Sequence, residues 1–261
     1  MHYVDEGDPA HPPLLLLHGN PTSSFLYRKV IAGLRDSYRC IAPDYPGFGR
    51  SEAPEGYGFT PVEHAAVLER LVVDLDLRDV TMMVQDWGGP IGFAVAGRHP
   101  ERFSRFVIGN TWAWPKADAG TRAFSAFLGG PIGKQLILRR NFFAKTVMRR
   151  SQKRPFDVEP YARSFPTPES RIPTWVFPRE IMGSRAFLRG VEEGLERVAS
   201  RPALIVWPDG DVAFRAPERE RWESIFADHE TVLLENVGHY IQEEAPEEIV
   251  AAIRSWSPRT T

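Results

Sequence analysis

Short apolar segments alternate with longer amphipathic segments along most of the chain. The apolar segments, which predict buried strands, are 13–17, 39–42, 80–85, 103–108, 203–207 and 231–234. Residues 62–77 repeat their apolar positions at helical spacing, and 246–256 begins with proline and acidic residues, as a helix does. This alternation indicates an α/β fold, with a mostly parallel central sheet flanked by helices on both faces.

The alternation stops between residues 114 and 183. This stretch is rich in Phe, Arg and Pro and shows no period of two. We therefore predict a helical cap at 114–183, inserted into a core domain made of 1–113 and 184–261. The paired arginines Arg139-Arg140 and Arg149-Arg150 are interpreted as a solvated helical face rather than as a binding patch.

Size and charge narrow the possible partners. A chain of 261 residues with 43% hydrophobic content can bury one large core with an inserted subdomain. The net charge of -2 gives no attraction to nucleic acid or to an anionic membrane and fits a small neutral substrate. The apolar runs are too short to span a bilayer, and the N-terminal residues lack the pattern of an export signal.

The number of cysteines indicates whether the compartment is reducing or oxidising. Cys40 is the only cysteine, so an internal disulfide framework and a multi-cysteine metal site are both excluded. A single thiol favours a reducing compartment, and we expect the protein in the cytoplasm.

The sequence VQDWGG at 84–89 lies where a buried strand is predicted to turn into a helix. This layout is typical of a nucleophile elbow, in which glycine after the nucleophile lets the helix pack closely on the strand. Asp86 occupies the nucleophile position. A serine there would indicate acyl transfer, whereas a carboxylate can attack carbon directly and form an alkyl ester. The simpler alternative is that Asp86 only caps the helix.

The loops after the last strands offer a base and an acid. His239 follows the final strand, which agrees with the order nucleophile, acid, histidine. Two carboxylates, Asp209 and Asp211, follow the strand before it. Since Asp209 precedes Gly210 and fits a turn, we assign the acid that orients the histidine to Asp211 and keep Asp209 as the alternative.

Two neutral donors could receive a leaving halide. Asn20 follows the first core strand in the motif HGNP, and its backbone N–H is a candidate for an oxyanion hole together with that of Trp87. An Asn before Pro is by itself turn chemistry. Beside an indole next to the nucleophile, however, its amide could bind halide without forming an ion pair with Asp86.

Six motifs resemble the haloalkane dehalogenases, which have the α/β-hydrolase fold. They are HGNPTSSFLYR, APDYPGFGRSEAP, VQDWGGPIG, GNTWAWP, WPDGDVAF and GHYIQEEAP, and together they extend the resemblance over nearly the whole chain. The resemblance implies hydrolysis of small haloalkanes to an alcohol and a halide through a covalent ester on Asp86. It implies no metal or organic cofactor, and a homo-oligomer is plausible.

The combination of site residues is most similar to the third subfamily of these enzymes. That subfamily has an Asp-His-Asp triad, implying Asp86, His239 and Asp211, with an Asn and a Trp as halide ligands. Asn110 stands where another subfamily carries a catalytic glutamate, which favours Asp211 as the acid. Several aromatic residues are candidate pocket walls, although core packing explains them equally well: Trp112, Phe124, Phe143, Trp175 and Phe177.

Three other functions are possible on this scaffold. Epoxide hydrolases share the Asp nucleophile but usually need cap tyrosines, and Tyr161 is the only tyrosine between Trp114 and Gly183. Fluoroacetate dehalogenases typically place Arg after the nucleophile, where this chain has Trp87. A non-catalytic binding protein on the same fold could tolerate loss of the triad residues, yet all three are present.

Overall fold

A seven-stranded sheet runs through the computed structural model, which describes residues 1–256. Its strands are β1 Tyr3–Glu6, β2 Pro13–Leu17, β3 Arg39–Pro43, β4 Val80–Asp86, β5 Phe103–Thr111, β6 Ala203–Pro208 and β7 His229–Leu234. The spatial order is β1-β3-β2-β4-β5-β6-β7, with β1 antiparallel to β3 and every other pair parallel. The last five residues of the predicted core domain, 257–261, lie outside the described part.

Helices connect the strands. They are α1 Arg28–Leu34, α2 Pro61–Asp74, α3 Gly88–Arg98, α4 Ala119–Gly129, α5 Pro131–Arg140, α6 Met148–Arg150, α7 Glu159–Arg163, α8 Ile172–Gly183, α9 Arg185–Gly194, α10 Ala216–Ile225, α11 Ile241–Glu244 and α12 Pro246–Ser255. Short 3-10 turns lie at Ser24–Tyr27, Pro100–Arg102, Glu169–Arg171 and Leu195–Arg197, and a π-helical turn at Phe143–Val147. None of the helices within residues 1–256 combines the length and apolar character needed to cross a bilayer.

Strand β2 shows why the predicted strands are continuous apolar runs. Its leucines are fully buried, and they alternate between two separate hydrophobic clusters. Leu15 and Leu17 belong to the cluster on one face of the sheet, whereas Leu14 and Leu16 belong to the cluster on the other. A parallel strand covered on both faces needs apolar residues at every position, so the sequence pattern and the fold agree.

The predicted α/β architecture is confirmed, and the differences are at element ends. The predicted helix at 62–77 is α2, which begins at Pro61 because Thr60 and Glu63 form a capping box. The helix ends three residues earlier than predicted, since Asp76 takes up a left-handed backbone conformation with φ 43°. The capping box marks the start of this helix in the sequence, but no glycine marks its end, so the end is harder to predict.

The segment between β5 and β6 is helical. Helices α4 to α8 lie within 114–183, and no strand is found there. Helix α8 packs against α4 and α5. Helix α9, which follows this segment, packs instead against α3 beside the sheet.

The carboxyl ends of the parallel strands bring the predicted site residues to one edge of the sheet. In open α/β sheets this edge is where ligands bind. Asn20 follows β2, Asp86 ends β4, Asn110 lies near the end of β5, Asp211 follows β6 and His239 follows β7.

Candidate active site

The turn at Asp86 is sharp and strained. Asp86 has φ 50°, a left-handed conformation that is costly for a residue with a side chain. The Thr111 hydroxyl donates a hydrogen bond of 2.5 Å to the Asp86 carbonyl and so holds the turn. A Cβ atom at Gly88 would lie 2.3 Å from the Leu17 carbonyl oxygen, and one at Gly89 would lie 2.0 Å from Thr111 Oγ1. Glycine is therefore required at both positions after Asp86.

Backbone N–H groups surround the Asp86 carboxylate. The N–H of Asn20 donates to Oδ1 at 2.8 Å, and the Trp87 backbone N–H also bonds the carboxylate. At Gly19 a Cβ atom would lie 2.2 Å from Oδ1, so only glycine permits this approach. Burial raises the pKa of Asp86, while the charge of His239 and these N–H groups oppose the rise without cancelling it.

His239 lies between the carboxylates of Asp211 and Asp86. Its Nδ1 lies 2.8 Å from Asp211 Oδ2, and its Nε2 lies 3.8 Å from Asp86 Oδ2. Asp211 also accepts hydrogen bonds of 2.7 Å from Asn110 Nδ2 and from the Ala213 backbone N–H. With Nδ1 bonded to a carboxylate, the Nε2 atom of the ring is directed toward Asp86.

Electrostatics couple the imidazole to its neighbours. Burial lowers the pKa of His239, but Asp211, Asp86 and Glu244 outweigh it and raise the pKa to about 9. Burial raises the pKa of Asp211, but the charge and hydrogen bond of His239 outweigh it, so the net direction is downward. The geometry thus favours a charged carboxylate that stabilises an imidazolium.

The two candidate acids differ in position. Asp211 is 5% exposed and bonded to His239, whereas Asp209 is exposed and accepts the Val237 backbone N–H at 3.3 Å. The Asp209 side chain therefore links the loop after β6 to the loop after β7.

Gln85 was not identified from the sequence. It is fully buried, and its Nε2 lies 3.0 Å from His239 Nε2 and 3.2 Å from the His239 carbonyl oxygen. Asn110 Nδ2 donates to the same carbonyl at 2.5 Å. The available signal was a polar residue in an otherwise apolar strand, next to the nucleophile position. Within residues 1–256, no group of three or more His, Cys, Asp or Glu side chains is placed to hold a metal ion.

Aromatic rings enclose Trp87, which is 2% exposed. Phe177 of α8 stacks on its ring, with centroids 5.1 Å apart and an interplanar angle of 15°. Trp112 meets it edge to face at 4.8 Å. Two of the five candidate pocket aromatics therefore lie directly against the indole beside Asp86.

The other three candidates lie elsewhere. Phe124 on α4 is 41% exposed, and its assignment as a pocket wall stays a prediction. Phe143 belongs to a separate small cluster within the inserted helices, and Trp175 packs against that cluster. The Trp175 indole N–H donates to the Gly129 carbonyl at 2.9 Å, so it holds α8 to α4. Aromatic content alone did not separate helix packing from pocket lining.

The Asn20 side chain is tied to α8. Its Nδ2 donates to the Thr174 carbonyl at 3.1 Å. This carbonyl lacks its usual helical donor because Pro178, four residues later, has no N–H. The amide of Asn20 has two N–H bonds, so one remains for a ligand.

Tyr161, the one tyrosine of the inserted segment, lies in an ion-pair cluster. Its hydroxyl donates to Glu243 Oε1 at 2.5 Å. Arg28 binds both oxygens of the same carboxylate, at 2.6 and 2.9 Å. The hydroxyl is therefore occupied in joining α7 to α11.

Comparisons with known proteins agree with this geometry. The family described as the alpha/beta hydrolase fold matches residues 12–246. Haloalkane dehalogenase 2 of Mycobacterium tuberculosis is 43% identical over 97% of this chain and 90% of its own length. A cis-3-alkyl-4-alkyloxetan-2-one decarboxylase of Shewanella oneidensis is 30% identical over 100% of this chain and 86% of its own length. Among solved structures, an ancestral haloalkane dehalogenase superposes with a TM-score of 0.89 at 28% identity, covering 98% of this chain and 94% of that chain.

Proposed function

This chain belongs to the haloalkane dehalogenases of the α/β-hydrolase fold, and we propose that it releases halide from small haloalkanes through a covalent alkyl ester on Asp86. The observation that carries the proposal is the placement of Asp86, on a strained turn between backbone N–H donors and within reach of His239. The aromatic rings around Trp87 are compatible with a small neutral substrate.

The first step is displacement at carbon. Asp86 Oδ1 is held by the Asn20 N–H, which leaves Oδ2 to attack the carbon that bears the halogen. A carbon–oxygen bond forms as the carbon–halogen bond breaks, and the halide leaves with the bonding electron pair. The indole N–H of Trp87 and the remaining amide N–H of Asn20 stabilise that developing charge.

The second step is hydrolysis of the ester. His239 Nε2 removes a proton from water, whose oxygen attacks the Asp86 carbonyl carbon, and the backbone N–H groups of Asn20 and Trp87 hold the oxyanion. Collapse of the tetrahedral intermediate breaks the bond between the former carbonyl carbon and the alkyl oxygen, and the His239 imidazolium gives its proton to the departing alkoxide, which leaves as the alcohol. The carboxylic acid formed on Asp86 then loses its proton to solvent, which restores the carboxylate and releases one proton for each halide. Formation of the ester also removes the charge of Asp86, one of the causes that raise the pKa of His239. The His239 imidazolium therefore loses its proton more readily in the ester intermediate, where the neutral imidazole is needed as the base.

We assign the inserted helices within 114–183 to a cap over the core formed by 1–113 and 184–261. Two contacts support this division. Phe177 stacks on Trp87, and the Thr174 carbonyl accepts a hydrogen bond from Asn20. Both cap residues lie on α8, so this helix covers the halide side of the site.

The competing reactions are less well supported. Epoxide opening needs a proton donor, and the hydroxyl of Tyr161 is bonded to Glu243 instead. The decarboxylase of Shewanella oneidensis acts on oxetan-2-ones, and its identity to this chain is 30% against 43% for the dehalogenase. An epoxide and an oxetan-2-one are therefore useful as comparison substrates.

The test is a halide-release assay with matched chloro-, bromo- and iodoalkanes, together with product analysis for an epoxide and an oxetan-2-one. We expect halide and alcohol in equal amounts from the haloalkanes, and much slower conversion of the epoxide and the oxetan-2-one. Asp86→Asn and Asp86→Ala should each reduce turnover by at least about a hundredfold while the fold is kept, because removal of a covalent nucleophile costs several powers of ten. A folded Asp86→Ala variant with near-native turnover would remove Asp86 from this role.

A cytoplasmic location is also proposed. Cys40 is buried and unpaired, and burial raises the pKa of its thiol to about 12. Such a thiol is chemically inert and does not need an oxidising compartment.

A further inference from the structure

Two consecutive glutamates of α11, Glu243 and Glu244, are each 6% exposed. Glu243 is paired with Arg28 and Lys29 and accepts the Tyr161 hydroxyl. These partners account for its carboxylate completely. Glu244 has a different environment, and the two-step reaction above does not use it.

Glu244 binds backbone groups from two distant segments. Its Oε2 accepts N–H bonds from Lys153 at 2.8 Å, Arg154 at 2.9 Å and Gly238 at 2.8 Å. Hydrogen bonds to an ionised acceptor are about twice as strong as neutral ones. The segment after α6 and the loop after β7 therefore meet at one carboxylate.

The loop held in this way carries the base. Gly238 directly precedes His239, whose own N–H donates to the Ser151 carbonyl at 2.9 Å. A Cβ atom at Gly238 would lie 2.3 Å from that carbonyl oxygen and 2.9 Å from Glu244 Oε1. The loop can approach Glu244 and Ser151 this closely only because the residue before His239 is glycine.

We propose that Glu244 is a positioning residue for His239, fixing the main chain before the imidazole; this inference rests on the proposed role of His239 as the base. Other hydrogen bonds hold the carbonyl group and the ring of His239. Gln85 and Asn110 hold its carbonyl, and Asp211 holds Nδ1. With the backbone fixed before and after the ring, Nε2 keeps its direction toward the ester.

The charge of Glu244 has a second effect on the same imidazole. The charged groups that act on His239 are the carboxylates of Asp211, Asp86 and Glu244. Its uncharged neighbours are the Gln85 amide and the rings of Tyr240 and Phe214. The negative charge of Glu244 raises the pKa of His239 by favouring the imidazolium. Because His239 acts only in the second step, any effect of Glu244 on the imidazole is expected in hydrolysis of the ester and not in its formation.

The test compares Glu244→Gln with Glu243→Gln, an equally buried neighbour whose side chain is bonded to Arg28, Lys29 and Tyr161 and not to the His239 loop. We expect Glu244→Gln to lower the His239 pKa, measured by NMR of the labelled imidazole, by several tenths of a pH unit. Its kcat should fall roughly tenfold or more with little change in KM, because a misplaced base slows chemistry rather than binding. The first equivalent of halide should still appear at the native rate. Glu243→Gln should show none of these changes.

A charge-preserving variant covers the case in which Glu244→Gln does not fold. Glu244→Asp keeps the charge but draws the oxygens back, so it should lower kcat while the His239 pKa remains close to native. Equal His239 pKa values and equal kcat in Glu244→Gln and Glu243→Gln, or a native kcat in Glu244→Asp, would overturn the proposal. A lowered His239 pKa with native turnover would also overturn the proposal, because Glu244 would then affect the charge of the imidazole without positioning it. Failure of the proposed function itself is recognised separately, by continued turnover in His239→Phe.

Discussion

Single residues bring the proposed catalytic groups into contact. Asp86 projects from its turn because its backbone is left-handed, and Gly19 leaves room for its Oδ1 atom. His239 is placed between two carboxylates, only one of which forms a hydrogen bond at 2.8 Å. The other lies 3.8 Å away, a separation that the attacking water can bridge in the second step.

The acid is tested by comparing two neighbouring carboxylates. Asp211→Ala should reduce turnover by roughly a hundredfold or more, because the imidazole loses the group that fixes its tautomer and stabilises its charge. Asp209→Ala removes an exposed carboxylate that bonds only the Val237 N–H, so its turnover should remain near native. Steady-state kinetics on one bromoalkane distinguishes the two, and the reverse ranking would place the acid on the other side of Gly210.

The dependence of turnover on pH follows from the base. His239 must be neutral to accept a proton from water, and its pKa in the free protein is raised to about 9. Since the ester neutralises Asp86, the pKa in the intermediate should be lower than that value. Hydrolysis of the ester should therefore accelerate as pH rises, with a midpoint below about 9, in single-turnover measurements. A rate that falls over this range in folded protein would exclude a neutral imidazole as the base.

Halide binding is tested at Trp87. Bromide or iodide should quench part of the tryptophan fluorescence saturably, because the proposed contact is with the indole of Trp87. Trp87→Phe should abolish that saturable component, whereas Trp175→Phe should keep it, since the Trp175 indole N–H is bonded to Gly129. Saturable quenching that persists in Trp87→Phe would place the halide elsewhere.

At the scale of elements, helix α8 connects the inserted segment to the two proposed halide ligands. Its internal proline gives up one helical hydrogen bond, and the freed Thr174 carbonyl accepts the Asn20 amide. Phe177 on the same helix covers the indole of Trp87. One helix thus orients both proposed halide ligands.

Replacing the proline tests this arrangement. Pro178→Ala supplies a backbone N–H that can bond Thr174 and compete with Asn20, so halide binding should weaken several-fold in the fluorescence titration. Pro173→Ala is the matched control, because Pro173 lies in the first turn of α8 where no intrahelical bond is lost. Equal halide affinity in Pro178→Ala and the native protein would show that the carbonyl does not orient Asn20.

The elements differ in how far sequence predicts them. Buried strands such as β2 can be predicted because a strand covered on both faces is apolar at every position. The site residues can then be predicted from their places at the ends of those strands. The contact of Asn20 with Thr174 was not predictable, because 154 positions separate the two residues and no local period links them. Gln85 was missed for the same reason, since its partner His239 is equally distant in the chain.

At the scale of the whole molecule, the sheet and the inserted helices contribute different residues to the proposed site. The core holds the proposed nucleophile, acid and base at the carboxyl ends of its strands, where the parallel arrangement brings them together. The inserted helices supply Phe177 and Thr174 on the halide side. The sequence could not rank the aromatic residues at this interface, because their placement depends on how the helices pack.

The two-step reaction is tested most directly by separating its steps with His239→Phe. If Asp86 forms the ester and His239 only activates water, this variant should release one equivalent of halide per active site from a bromoalkane and then stop. Its mass should increase by that of the alkyl group, and peptide mapping should place the increase on the peptide that contains Asp86. Continued turnover by His239→Phe, or an adduct on another peptide, would contradict the proposed mechanism.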